Sequence, residues 1–236
     1  MSFFSQNERE RLLVIAPHCD DEIFGCAGLM AKAIQSGHEV AVIIVSNADI
    51  EQYRQRHGVA RGIDRKGEMI AGLNELGVRD FEILFEDPDI HMRLDQLPMI
   101  DLVTRIERTA RLSIDVFKPS ILLLPAASYN QDHDVVYRAG IAACRPHLRH
   151  EKHFVPTVLI YDQPQLCWGS SFTPNFYVDI EAWLPLKLAA LGHHRSQLRD
   201  APHHASLENV ERLARLRGAE ISCGAAEAFQ CVRMAC

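Results

Sequence analysis

The chain has 236 residues, 47% of them apolar, and a net charge of −6; this is enough for one well-packed domain and gives no electrostatic footprint for a nucleic-acid partner. No apolar run approaches the roughly 20 residues that cross a bilayer, and the N-terminus MSFFSQNERERLL lacks the basic and then long apolar regions of a secretory signal. The seven cysteines are scattered and form no C-x-x-C pair, which predicts free thiols in a reducing cytoplasm and not a zinc ribbon.

Short apolar runs alternate with helical patterns along the chain. Residues 12–17 predict a buried strand, and 25–36 a helix stopped at Gly37. EVAVIIVS (39–46) is too uniformly apolar to have a wet face and predicts a second buried strand. The polar, weakly periodic segment 51–62 predicts a loop. A helix over 64–76 should close at Gly77, where a left-handed residue is wanted. A third strand follows over 81–85, then a long amphipathic helix over 97–117 ended by Lys118-Pro119. Residues 121–125 predict a fourth strand and 135–144 a helix stopped by Arg145-Pro146. Further strands are expected at 158–161 and 176–180, a helix at 184–191, and a last edge strand at 227–232. Such alternation predicts a single α/β domain with a mostly parallel, doubly wound, Rossmann-like sheet flanked by helices. It has no internal repeat or linker, and residues 1–10 form an N-terminal extension. Ligands in such folds bind beyond the carboxyl ends of the strands.

The sequence PHCDDE lies at the end of the first strand. A catalytic zinc site needs about three His, Asp or Glu ligands and one open position. His18 and Asp21, three residues apart across a strand-to-helix turn, can converge on one ion. Asp20, between them, can point to the water that such a site activates, where a general base belongs. The three carboxylates could equally cap the next helix and complement its dipole, although a cap needs no imidazole. A second strand end supplies NQDH, in which His133 opens a helix and Asp132 could orient a ring. Taken alone, His133 reads as a solvent-exposed histidine at a helix start.

PHCDDE resembles the P/A-H-P-D-D-E motif of the PIG-L/LmbE-like zinc de-N-acetylase family, and NQDH resembles its H/N-x-D-H motif. RKGEMIAGLNELGV, FTPNFYVDIEAWLPLKLAAL with SQL, and RGAEISCGAAEAF resemble three further family segments, in order, over roughly residues 11–233. The resemblance implies a zinc-dependent hydrolase that removes an acyl group, usually acetyl, from an amino sugar or similar amide. It implies His18, Asp21 and His133 as metal ligands and Asp20 as the general base. The same two-His, one-carboxylate set also suits Fe2+. The partner is then a small N-acyl amino-sugar-type molecule; oligomeric state is left open, a homo-oligomer included.

Three positions depart from the family pattern. Cys19 replaces a usual Pro and reads as a small buried filler, with a fourth ligand as the lesser reading. Asn130 stands where many members have His; Asn can donate to an oxyanion but has no proton to give the leaving amine. His203, with His204 beside it, becomes a candidate acid, as does Asp20 itself; His193 and His194 are weaker candidates. Asp134 follows the ligand histidine where Arg is common, which puts anionic substrates in doubt. Arg61, Arg65, Arg93 or Arg217 could compensate, with Arg61 and Arg217 carried forward as substrate-binding candidates. Asp179 and Glu227 read as structural hydrogen-bonding carboxylates. Two other readings stand beside the hydrolase: a ligand-binding protein that has lost catalysis on the same scaffold, and an amidase for a non-sugar amide. A nucleotide-binding domain is disfavoured, because three carboxylates occupy the turn where pyrophosphate would sit.

Overall fold

The computed structural model describes Phe4 and residues 9–51, 58–163 and 172–235. Seven strands form the main sheet. The strand β1 (Arg11–Ala16) pairs in parallel with both β2 (Glu39–Ser46) and β6 (Ile121–Pro125). Beyond β2 lies β5 (Asp80–Phe85), and beyond β6 lies β7 (Thr157–Tyr161), both again parallel. The far side is completed by β9 (Ala226–Met234), antiparallel to β7, and β8 (Phe176–Asp179), antiparallel to β9. The order is therefore β5-β2-β1-β6-β7-β9-β8. The chain winds outward from β1 in one direction and returns through β6 in the other, so the crevice between β1 and β6 is the topological switch point.

Both faces of β1 are covered, which explains its unbroken apolar run. Leu12, Val14 and Ala16 join a core beneath α1 (Asp21–Gln35), α2 (Gly62–Leu76), α6 (Leu184–Leu191) and α7 (Leu207–Ala219). Leu13 and Ile15 join a second core beneath α3 (Met99–Thr104), α4 (Ile114–Phe117) and α5 (Gln131–Ala143). Each fully buried Leu, Val or Ile side chain among them contributes about 1.5–3 kcal/mol. The close seat of α1 depends on Gly25: a Cβ there would fall 2.2 Å from the Tyr161 ring. The Tyr161 hydroxyl in turn donates to the Ile15 carbonyl at 3.0 Å. This contact ties α1 and β7 to the end of β1, where the site begins.

The strands and most helices lie where the sequence places them, and α2 closes at Gly77 with φ 83°, as expected. The expected helix over 97–117 is broken. It runs as α3, a π-helical turn over Arg105–Thr109 and a bend before α4. The cause is tertiary: the Glu82 carboxylate on β5 accepts from the backbone N–H groups of Arg111 and Leu112 at 3.2 and 2.9 Å, while Arg111 binds Asp80 and the Phe81 carbonyl. The last strand is not an edge, since β8 lies outside it. Around the expected loop, β3 (Ile50–Glu51) and β4 (Val59–Ala60) make a short antiparallel ribbon; residues 52–57 of that loop lie outside the described residues. The helix α7 carries no sequence expectation, yet Val210, Ala214 and Gly218 repeat every four residues on its buried face and Ser206 caps it from Asn209 N–H.

Candidate active site

The turn after β1 and the start of α5 meet at the switch point. His18 lies on that turn, Asp21 opens α1, and His133 is the third residue of α5. All three are buried, and one ligand atom of each lies within 4.8 Å of the others. The shared focus is Asp21 Oδ2, 3.4 Å from His18 Nδ1 and 3.3 Å from His133 Nε2. The His18 backbone N–H also donates to it at 3.0 Å.

The surroundings fix the rings. His18 Nε2 meets Asp132 Oδ2 at 2.9 Å, so its Nδ1 faces the focus, and Asp132 Oδ1 is held by the Leu94 N–H at 3.0 Å. Asp132 thus holds the His18 ring in one orientation. Burial alone would lower the His18 pKa, but the Asp132 and Asp21 carboxylates reverse this and push it up to about 9. Burial opposes ionisation of Asp21, yet His133 and His18 hold its carboxyl well below the usual range. Burial lowers His133, and its Nδ1 is buried with no hydrogen-bond partner among the described residues. Two buried imidazoles and a buried carboxylate that converge on one point are a donor set that fits a divalent cation of the zinc type.

Asp20 flanks this focus. It sits at the N-cap of α1 but makes no side-chain capping bond, so Asp20 itself is not the cap, while Asp21 and Glu22 make the first turn acidic as the capping alternative expects. Its backbone is forced to φ 141°, ψ −30°, a region that costs non-glycine residues about 1–3 kcal/mol. The turn is braced instead by Glu22 Oε2, which accepts the Asp20 N–H at 3.1 Å. Burial, and then the neighbouring Asp21 charge, raise the Asp20 carboxyl to about 7.

Asn130 caps α5: its Oδ1 accepts the Asp132 N–H at 3.0 Å, leaving the Nδ2 end as the donor. Cys19 is fully buried, and burial keeps its thiol protonated. Asp134 pairs with Arg138 one turn on, at 2.6 Å. Arg61 is exposed at the start of α2. Arg217 pairs with Asp162 at 3.0 Å and with Glu220. His203 is exposed, stacks on His204 and accepts from the Ala205 N–H, so its described contacts are local to the turn before α7. His193 faces Glu75 at the surface, whereas His194 is fully buried. Asp179 is exposed, and Glu227 is buried against Lys187.

Two residues at the site carry no sequence expectation. Gln163, after β7, is buried and donates Nε2 to Asp21 Oδ1 at 2.6 Å. His91 packs edge-on to His18, with ring centroids 5.3 Å apart. Its Nε2 accepts from Arg65 Nη1 at 2.8 Å, so its Nδ1 carries the proton toward Ser46 Oγ. Burial, His18 and the Arg65 charge press its pKa down to about 3. Arg65 itself is buried, one turn beyond the exposed Arg61. These contacts span 26 to 142 residues of sequence, so no local pattern announces them.

A doubly wound α/β chain that gathers two imidazoles and two carboxylates at its switch point has the layout of an enzyme. Comparison with known proteins gives the class a family: the model of the PIG-L family, GlcNAc-PI de-N-acetylase, matches residues 13–144, and the chain belongs to it. It is 29% identical over 196 residues to the uncharacterized deacetylase YaiS of Escherichia coli, covering 81% of this chain and 94% of that protein. Two solved structures share the fold. The N,N'-diacetylchitobiose deacetylase of Pyrococcus horikoshii superposes with a TM-score of 0.71 at 19% identity, over 96% of this chain and 85% of that one. The 4-carboxy-2-hydroxymuconate hydratase GalB of Pseudomonas putida gives 0.72 at 21%, over 94% and 96%. No helix among the described residues is long and apolar enough to cross a membrane.

Proposed function

We propose that this protein is a metal-dependent hydrolase that removes an N-acyl group, chiefly N-acetyl, from an amino sugar or related amide. The observation that carries the reading is the buried His18–Asp21–His133 focus with Asp20 beside it. His18 Nδ1, Asp21 Oδ2 and His133 would hold the ion, with zinc as the first choice and Fe2+ as the alternative. When bound, it would polarise the acyl carbonyl and make water nucleophilic near neutral pH.

Asp20 takes the proton from the attacking water. Asn130 donates its amide N–H to the carbonyl oxygen as negative charge develops there. The amine nitrogen must gain a proton before it leaves. We assign that return to Asp20, because the described contacts of His203 are local to its own turn. The carboxyl then cycles once per turnover and ends ionised. The five cysteines unpaired among the described residues support a reducing compartment such as the cytoplasm.

The test is a mass-spectrometric screen of N-acetyl amino sugars and non-sugar amides with zinc-loaded protein, reading acetate release. Because the fold also carries a hydratase, water addition without acetate is scored separately. Acetate release that is lost in His133→Ala together with stoichiometric metal supports the reading. Equal hydrolysis by metal-free and zinc-loaded protein overturns it.

A further inference from the structure

The two oxygens of Asp21 have separate partners. Oδ2 faces both imidazoles and takes the His18 N–H. Oδ1 is held by Gln163 Nε2 at 2.6 Å. A carboxylate free to rotate can offer both oxygens to an ion and so occupy two of its positions. One that is pinned by a donor on its far oxygen offers only one, which leaves room for water and a substrate carbonyl. Gln163 is well suited to pinning it. The residue is fully buried, it does not titrate, and its amide supplies the donor that an ionised carboxylate needs.

Gln163 is itself held. Its backbone N–H donates to Asp162 Oδ1 at 2.8 Å, and Asp162 Oδ2 accepts from Arg217 Nη2 at 3.0 Å. The Arg217 guanidinium is further fixed by Glu220 and lies 6.0 Å from the Phe172 ring. A continuous line of polar contacts therefore runs from α7 through Asp162 and Gln163 to Asp21 Oδ1. This is a different use of Arg217 from a substrate contact.

We propose that Gln163 is a positioning residue that makes Asp21 a one-oxygen ligand, and that Arg217, through Asp162, holds Gln163 in register. The inference rests on the metal reading of His18, Asp21 and His133. The test measures zinc affinity by competition with a chromophoric chelator, together with the visible spectrum of the cobalt-substituted protein, which weakens as coordination number rises. Gln163→Met keeps the size and removes the donor. Its zinc affinity is expected to fall about 10- to 100-fold, the usual effect of losing a ligand's supporting partner, with a weaker cobalt spectrum and an unchanged melting temperature for the metal-free form. Arg217→Met is expected to fall in the same direction by less, and the double variant to be no worse than Gln163→Met alone. Parent affinity and spectrum in Gln163→Met overturn the proposal. Strict additivity in the double variant overturns the part assigned to Arg217. Should Gln163→Met fail to fold, Gln163→Asn draws the amide back by one methylene, and parent affinity there is equally fatal. A parent protein that binds no divalent ion overturns the metal reading first and the positioning role with it, whereas a parent that binds zinc beside a Gln163 variant that binds equally well overturns only the latter.

Discussion

Asp20 and Asp21 are neighbours of the same type with opposite environments. Asp21 sits between two imidazoles, whereas at Asp20 burial and the Asp21 charge outweigh Arg65 and His18. Asp20→Asn, nearly isosteric, should retain zinc and lose about 100- to 10,000-fold in kcat; loss of zinc with turnover restored by added metal would exchange the two roles. Asn130 has two roles that substitutions can separate. Asn130→Asp keeps an oxygen to cap α5 but removes the N–H donor, so stability should hold while kcat falls about 100- to 1,000-fold. Asn130→Ala should lose both, with about 0.5–2 kcal/mol of stability added to the loss. Thermal melts and steady-state rates on the two variants decide this. At this scale the sequence was most informative where chemistry clusters locally. PHCDDE and NQDH each place their polar groups at one strand end, so four of the residues now side by side could be read directly. Gln163 and His91 reach the site through the fold alone, and an isolated Gln or His in a sequence carries no signal of its own.

The helix α1 is gripped at its middle as well as its start. Glu227 on β9 accepts from the backbone N–H groups of Gly28 and Leu29, both at 2.8 Å, and Lys187 on α6 donates to the Phe24 carbonyl and to Glu227. This buried ion pair splices three elements together beneath the helix that carries Asp21. Lys187→Met should cost about 3–5 kcal/mol in denaturant unfolding, because Glu227 is left buried and unpaired; Lys187→Met with Glu227→Leu should recover part of that loss. A second pair acts at low pH. Burial works against ionisation of Glu107, but Lys152, Arg145 and Arg108 hold its carboxyl below the ordinary range. Its folded pKa is therefore below its unfolded value of about 4.3. The stabilisation is present above that value and is lost as pH falls through the folded pKa. Glu107→Gln should flatten this acid limb of a stability-versus-pH curve; an unaltered limb would remove Glu107 from the account. The broken helix over 97–117 teaches the complementary lesson. Its amphipathic pattern is genuine, but Glu82, on another element, captures two of its N–H groups, and helical periodicity cannot anticipate such a competitor.

For the whole molecule, the alternation of strands and helices was legible and the strand order was not. Local pattern specifies that parallel strands must be bridged by helices; it does not state that β6 returns beside β1, which is what creates the crevice. The same limit explains why β9 was expected at an edge: its neighbour β8 is a four-residue strand whose only ladder among the described residues is with β9. The architecture also predicts how the fold responds to metal removal. The proposed ligands come from the turn after β1, from α1 and from α5, so an ion would fasten elements of both cores at once. At a free zinc concentration about 1,000 times the Kd, the linkage is worth about 4 kcal/mol, or roughly 10 °C in Tm for a chain of this size. Calorimetry with and without a chelator measures it, and coincident melts would remove the metal from the stability of the fold.

The backbone of Asp20 carries a further implication. A left-handed-side φ of 141° is comfortable only for glycine, so the turn after β1 is one that a glycine would adopt with less strain. Selection for folding alone would favour that glycine. The acidic side chain stands here against the preference of its own main chain. Efforts to make this protein more heat-resistant by relaxing its strained positions would meet this one early, and would trade turnover for robustness there. Stabilising changes belong at exposed apolar positions that the proposed chemistry does not use, such as Ile100 on α3 and Val116 on α4.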